Sequence, residues 1–409
     1  MQVPERVPKP PPWASQLLSV GVTGTNGKTT TTRWVAAALG AVATPVVRGT
    51  TVGFFLDEMR LDVSKDFAGF MEAMHACASK GGRYAALELT SEALARGFAR
   101  AWPCKVGVFT NLTHDHLDAH GSPEHYLASK AQLFIGLAEG GTAVLNAADA
   151  SSSLLRDVVP QGVSVRTYAV PSRGEVEGDV DILAERVDVT WSGTRVRCRA
   201  VDGLPSEISV RAVGEVYAEN ALAALLGAVA AGVPADVAAE AISRAEPPPG
   251  RFEVVVESPH VVVDYAHTPD AVERTVAAAR AIVDAEGRGG RVIQVFGAGG
   301  RRDQAKRPRM GEAARRADVV VLTSDNAREE DPAEIARAMA QGLEGHADVR
   351  VLLDRREAIR AAVREARPDD VVLVCGKGHE TEQIVGGRAE HFSDAEEARA
   401  AAEELRRPG

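Results

Sequence analysis

One stretch constrains this chain more than any other: Val22-Thr23-Gly24-Thr25-Asn26-Gly27-Lys28-Thr29-Thr30. It follows a short apolar run, LLSVGVTG over 17–24, and opens a helical pattern that continues through TTTTRWVAAALG to Gly40. An apolar run of that length closed by glycine reads as a buried strand. A glycine-rich turn from strand to helix aims successive backbone N–H groups at one point, and the helix N-terminus adds roughly half a positive charge. The segment therefore reads as a phosphate loop. Its ligand-facing residues are Thr25, Asn26, Gly27, Lys28, Thr29 and Thr30, with Lys28 reaching the β- and γ-phosphates and the Thr29 hydroxyl suited to Mg²⁺. The strict G-x-x-x-x-G-K-[ST] pattern is met except at its first position, where Val22 stands.

The loop also sets the fold class, because a strand that feeds a helix this way belongs to an α/β sheet. Further apolar runs at 84–89, 105–112 and 142–147 alternate with helical segments such as 67–80. Shorter strands are expected at 163–169, 181–190 and 194–201, forming an antiparallel edge, followed by an apolar helix over 218–233. The PPPG run at 247–250 is the clearest internal punctuation, and strand–helix alternation restarts after it. Helices are expected at 270–286, near 308–317, at 332–344 and at 355–367, with strands between them. At ~150 residues per domain, the 409 residues hold two or three domains. The expected division is a proline-rich tail at 1–15, a central P-loop mononucleotide-binding domain at 16–247 and a C-terminal Rossmann-like α/β domain at 248–409.

Charge and composition narrow the partners. A net charge of −10 makes general binding to nucleic acid or an anionic membrane unfavourable. No apolar run reaches the length of a membrane span, and the start of the chain lacks the apolar core of a secretion signal, so a cytoplasmic protein is expected. The four cysteines form no C-x-x-C pair, which fits a reducing compartment without a disulfide framework or zinc site. Of 47 basic residues only eight are lysine, so each retained lysine invites a question about its amine.

TGTNGKTT resembles the loop of the Mur ligases, ATP-dependent enzymes that join a carboxylate to an amine. Similar motifs follow in family order: TNLTHDHLDAHGSPEHYLASKAQLF (110–134), ENALAA (219–224), GRFE (250–253), DYAHTPD (264–270), GAGGRRDQAKRP (297–308), SDNARE (324–329) and GKGHE (376–380). Together they span roughly residues 20–395, and they follow the third-residue-adding branch of the family.

The resemblance implies ATP and Mg²⁺ as cofactors, with Thr29, Glu88 and His116 on the metal; His114 is the poorer choice, and Asp115 and Asp118 read as capping or loop residues. It implies that Lys130 is carbamylated and acts with Lys28 and His116 in catalysis. A helical lysine alone reads as a solvated surface group; the scarcity of lysine and the family position point the other way. Asn220 is assigned to the adenine, Arg251 and Asp264 to the ribose and phosphate region, and His267 to the base edge. Because Arg251 and Asp264 lie beyond PPPG, ATP is expected to sit between two domains. The amine substrate falls to Arg302, Asp325, Asn326, Arg328, Gly376 and Glu380, and the acid substrate to Thr50, Thr51 and Ser91. The substrates implied are a small-molecule or peptide acid and an amino acid.

Some features depart from the branch. The first strand begins near residue 17, so the family's N-terminal nucleotide-sugar domain is expected to be missing and acid recognition to come from a partner. Thr90-Ser91-Glu92 replaces a Ser-Ser-His run, Arg96 and Phe98 stand where the branch carries Gln and Arg, and Ala327 replaces a proline. The changes at Glu92, Arg96 and Phe98 are expected to sit on the acid side, and Ala327 in the amine-site loop. Three alternatives stay open: a ligase for a non-muramyl acid, a non-catalytic ATP-binding relative, and a plain P-loop ATPase.

Overall fold

The computed structural model describes residues 9–112, 122–176, 178–301, 304–385 and 388–406. It divides into two compact units, one of residues 1–211 and 215–246, the other of 212–214 and 247–409.

Among the described residues, the first unit carries an 11-stranded sheet in the order β11-β10-β9-β8-β7-β6-β1-β5-β2-β3-β4. Its strands are β1 (Leu18–Thr23), β2 (Val46–Thr50), β3 (Gly53–Leu56), β4 (Met59–Arg60), β5 (Tyr84–Glu88), β6 (Val106–Phe109), β7 (Thr142–Asn146), β8 (Ser164–Ala169), β9 (Ile182–Thr190), β10 (Gly193–Ala200) and β11 (Glu207–Val210). β1 lies in the middle, parallel to β5 on one side and β6 on the other. Val20 and Val22 are fully buried, as expected of a central parallel strand covered on both faces. β8 to β9 is still parallel; β9, β10 and β11 then run antiparallel. The far edge is an antiparallel β2-β3-β4 meander.

Helix Lys28–Gly40 leaves the phosphate loop and packs on helices Val216–Ala230 and Ala235–Arg244, with Trp34 fully buried. On the other side, helix Phe67–Ser79, capped by the Asp66 carboxylate on the Gly69 N–H, brings Phe70 into edge contact with Phe98 and Trp102, each at 5.1 Å between ring centres. The proline-rich start is not wholly irregular. Pro12–Gln16 forms a short 3₁₀ turn, because Trp13 anchors it against His75 and Trp102.

The second unit holds a 6-stranded sheet in the order β12-β13-β17-β14-β15-β16 among the described residues. Its strands are β12 (Glu253–Glu257), β13 (His260–Asp264), β14 (Val292–Phe296), β15 (Val319–Leu322), β16 (Val349–Val351) and β17 (Val371–Cys375); a separate hairpin pairs β18 (Glu382–Val385) with β19 (Arg388–His391). All neighbours except β12–β13 are parallel. The expected helix near 308–317 is Lys306–Ala313 instead, and the one at 332–344 ends at Ala340 before a 3₁₀ turn.

One buried ion pair braces this unit. Arg355 and Asp394, both fully buried, form a two-pronged ion pair with both contacts at 2.7 Å, and the guanidinium also donates to the Ser324 and Cys375 carbonyls. Across the chain, Cys77, Cys104, Cys198 and Cys375 are all buried and unpaired.

Candidate active site

In parallel sheets the strand C-termini open onto the ligand crevice. In the first unit the phosphate loop follows β1 there, Glu88 closes β5, and Thr110-Asn111 follow β6. Gly24 and Gly27 have φ of +152° and +82°. A β-carbon at Gly24 would lie 1.9 Å from the Thr110 hydroxyl, and one at Gly27 would lie 2.2 Å from Asn220 Oδ1. Both positions therefore require glycine twice over, by conformation and by space.

The loop is held from outside. The Thr25 N–H donates to the Asn111 carbonyl at 2.7 Å, the Asn26 N–H to Asn111 Oδ1 at 2.9 Å, and the Thr110 hydroxyl to the Asn26 carbonyl at 2.6 Å. Thr110 is positioned in turn by Asn146, whose amide donates to its carbonyl at 2.7 Å and to Glu219 at 3.1 Å. Asn146 does not stand out in the sequence, because it works through a backbone carbonyl and lies in none of the motifs.

Lys28 folds over the loop and donates to the Thr25 carbonyl at 2.8 Å. The Thr29 hydroxyl donates to Glu88 Oε2 at 2.9 Å, and the same oxygen accepts the Thr51 N–H at 3.3 Å. Thr50 turns its hydroxyl to the Gly53 carbonyl at 3.3 Å. Thr30 is buried in the first helical turn. Lys130 is not a surface group. It is 1% exposed, its Nζ donates to the Gly24 carbonyl at 2.7 Å, and it lies 4.1 Å from the centre of the Tyr126 ring. Burial, with the nearby Lys28 charge, lowers its titration to about 6. Asn220 is 2% exposed and its Oδ1 accepts from the Thr31 hydroxyl at 3.5 Å.

The supposed acid side is partly corrected. Phe98 is fully buried among Phe67, Phe70 and Trp102, so it belongs to the core and not to a substrate surface. Arg96 pairs with Glu92 one helical turn earlier at 2.6 Å. Ser91 is buried at the start of a short helix capped by Thr90. His116, with His114, Asp115 and Asp118, lies outside the described residues, as does Arg302.

In the second unit the motifs DYAHTPD, GAGGRRDQAKRP, SDNARE and GKGHE all begin at or just after the C-termini of parallel strands β13, β14, β15 and β17. That topology gathers segments far apart in sequence. The Asp264 carboxylate accepts from the Phe252 N–H at 2.6 Å, the Ala266 N–H at 2.8 Å and the Thr275 hydroxyl at 3.2 Å. Burial nevertheless pushes its carboxyl up. Tyr265, not singled out from the sequence, carries the Arg251 guanidinium 4.7 Å from its ring centre and packs edgewise on His267 and at a tilt on His379.

A third group surrounds Asp325-Asn326. The Asn326 amide donates to Glu380 Oε2 at 3.0 Å and its oxygen accepts from the Ile384 N–H at 2.9 Å. Arg328, at φ +57°, donates to the Gly300 carbonyl at 2.6 Å. Gly376 has φ +120°, and a β-carbon there would lie 2.9 Å from Asp325 Oδ2. Lys377, missed by sequence reading, is fully buried among these groups. Its signal was the scarcity of lysine in an arginine-rich chain.

Hard oxygens at Thr29 and Glu88 are the kind of donor Mg²⁺ takes. Among the described residues no group of three or more His, Cys, Asp or Glu gathers as a metal cage.

A strand, a glycine-rich turn and a buried lysine beside it, followed by a second unit built on a largely parallel sheet, define a P-loop nucleotide-binding protein of two α/β units. Residues 22–228 match the Mur ligase middle domain and 250–378 the Mur ligase, glutamate ligase domain. The chain belongs to the Mur ligase family of ATP-dependent ligases.

Among its relatives is the UDP-N-acetylmuramoyl-L-alanyl-D-glutamate–2,6-diaminopimelate ligase of Synechococcus elongatus, 41% identical over 95% of this chain and 77% of that protein. The ligase of the same name from Geobacillus thermodenitrificans is 36% identical over 95% of this chain and 79% of its own length. A solved structure of a ligase with this name superposes with a TM-score of 0.72 at 32% identity, covering 96% of this chain and 79% of that one. The ADP complex of Mycobacterium tuberculosis folylpolyglutamate synthase, at 18% identity and TM-score 0.69 over 96% of this chain and 92% of that chain, shares the fold. No helix among the described residues is long and apolar enough to cross a membrane.

Proposed function

We propose that this ligase adds a 2,6-diaminopimelate-like amine to a muramyl dipeptide carboxylate, as its relatives are named to do. The observation that supports the reading most is the Asp325, Asn326, Arg328, Gly376 and Glu380 group at the C-terminal ends of β15 and β17. It offers a carboxylate for an ammonium and a guanidinium for a distal carboxylate, which suits a substrate charged at both ends.

The substrate carboxylate attacks the γ-phosphorus of ATP, an O–P bond forms, and ADP leaves. The amine then attacks the acyl phosphate, loses a proton, and the tetrahedral intermediate expels phosphate. Lys28, the loop N–H groups and the helix N-terminus at Lys28–Gly40 stabilise the charge on the transferring phosphoryl. Thr29 and Glu88 would hold Mg²⁺, which when bound offsets the negative charge of the triphosphate. Lys130 is largely neutral near pH 7, the form that can add CO₂ to become a carbamate. Asn220 braces the loop at Gly27 in addition to the adenine role proposed for it, while Arg251, Asp264 and His267 serve the rest of the nucleotide.

ADP release tests the reading: it should require ATP, UDP-N-acetylmuramoyl-L-alanyl-D-glutamate and 2,6-diaminopimelate together, with the condensed product seen by mass spectrometry. ADP release that ignores the amine, or that appears only with a different acid, would overturn it.

A further inference from the structure

We propose that Lys377 is a positioning residue for the amine pocket: its buried ammonium sets the Asn326 amide and, through it, the Glu380 carboxylate that receives the incoming amine. The proposal rests on the amine-site reading given above. Lysine is rarely buried completely unless it is paired, yet Lys377 is 0% exposed. Its Nζ lies 3.2 Å from Asn326 Oδ1, 3.6 Å from Asp325 Oδ1 and 3.6 Å from Glu380 Oε2. Lysine offers three donors and no acceptor. The Ile384 N–H, also purely a donor, meets the same Asn326 oxygen at 2.9 Å.

Two pure donors on one side leave the Asn326 amide a single orientation. The oxygen must face Lys377 and Ile384, so the NH₂ must face Glu380, where it donates at 3.0 Å. Turning the amide over would set its NH₂ against an ammonium and an N–H, and its oxygen against a carboxylate. Glu380 keeps 37% of its side chain exposed while Asn326 and Lys377 hold it from behind. Asp325, 7% exposed, supplies the second negative charge that keeps the ammonium buried. Gly376 leaves the space Asp325 needs, since a β-carbon there would sit 2.9 Å from Oδ2. A compact three-donor charge fits between these oxygens; a planar guanidinium has a different shape and reach. This gives a physical reason for one of the chain's eight lysines to be lysine and not arginine.

The test is steady-state ADP release by the full chain with ATP, UDP-N-acetylmuramoyl-L-alanyl-D-glutamate and varied 2,6-diaminopimelate, for wild type, Lys377→Met, Glu380→Gln and the double variant. Lys377→Met should raise the KM for diaminopimelate ~10-fold or more, about 1.4 kcal/mol, with the KM for ATP within about twofold. Adding Lys377→Met to Glu380→Gln should move that KM by less than ~3-fold, because both changes act on one contact. Fully additive effects, or a lower kcat with an unchanged KM, overturn the positioning role. Glu380→Gln without effect on the amine KM, or wild type without turnover, overturns the amine-site reading instead. In that event a crystal structure of Lys377→Met decides the positioning claim alone: the Asn326 amide and Glu380 should have moved, and finding both in place overturns it. If Lys377→Met does not fold, Asp325→Asn with Lys377→Met removes the buried charge pair together and takes its place.

Discussion

Replacing Lys130 by methionine should make the protein more stable near neutral pH while abolishing its activity. The folded chain holds this amine buried, with a titration lowered to about 6 by desolvation and the Lys28 charge. In the unfolded chain it returns to about 10.4. Between the two values the unfolded chain binds a proton that the folded chain has released, so the group opposes folding increasingly as pH falls; its contribution is most favourable above the unfolded value. At ~1.4 kcal/mol per pH unit, that opposition is on the order of 4–5 kcal/mol at about pH 7. Methionine removes it but leaves the Gly24 carbonyl, now bonded at 2.7 Å, without its donor. An unsatisfied buried acceptor costs about 1–3 kcal/mol. The net gain is then roughly 2 kcal/mol at about pH 7, and it disappears or reverses by about pH 10. Urea unfolding of wild type and variant in CO₂-free buffer at three pH values measures the difference directly. A difference that does not change with pH, or a variant less stable than wild type at pH 7, would refute the reasoning. Added bicarbonate should not restore turnover to the variant.

Lys28→Ala should cut ATP turnover by ~100-fold or more with an unchanged circular dichroism spectrum; near-normal turnover would remove Lys28 from the phosphate site. Gly27→Ala meets Asn220 Oδ1 at 2.2 Å and a φ of +82°, so nucleotide affinity measured by calorimetry should fall sharply. Arg355→Met leaves the Asp394 charge buried alone, and chemical unfolding should show a loss of about 3–5 kcal/mol. Arg328→Ala should raise the amine KM about 30-fold, reckoned from a loss of roughly 2 kcal/mol, while the KM for ATP stays close to that of wild type.

The sequence was most legible where local chemistry and topology agree. The apolar run before Gly24 is a strand, the residues from Lys28 to Gly40 are a helix, and the β13, β14, β15 and β17 runs carry motifs at their C-termini because parallel sheets put loops there. The β2-β3-β4 meander was not foreseen. Its turns rest on Asp57 at φ +53° and Gly53 at φ +147°, not on a familiar turn sequence. Lys130 and Lys377 illustrate a different limit. Period and composition give the element a lysine sits on, but its burial depends on Gly24 in one case and Asp325 in the other, 106 and 52 residues away in the chain. Phe98 shows the converse error: alignment with a substrate residue gave it a role, whereas the ring fills a core built by Phe67 and Phe70.

The four unpaired cysteines have a practical consequence. Burial pushes the Cys77 thiol to about 11, Cys104 and Cys198 to about 12, and Cys375 higher still. A thiolate is the reactive form, so alkylating and fluorescent maleimides should find almost nothing to react with in the native chain. Exposed Met59 in the first unit and exposed Val351 in the second, at 57% and 51%, are then ready sites for a single introduced cysteine. Dyes placed there would report from a silent background, and one labelled molecule at a time could be followed through ATP binding without first stripping the protein of its own thiols.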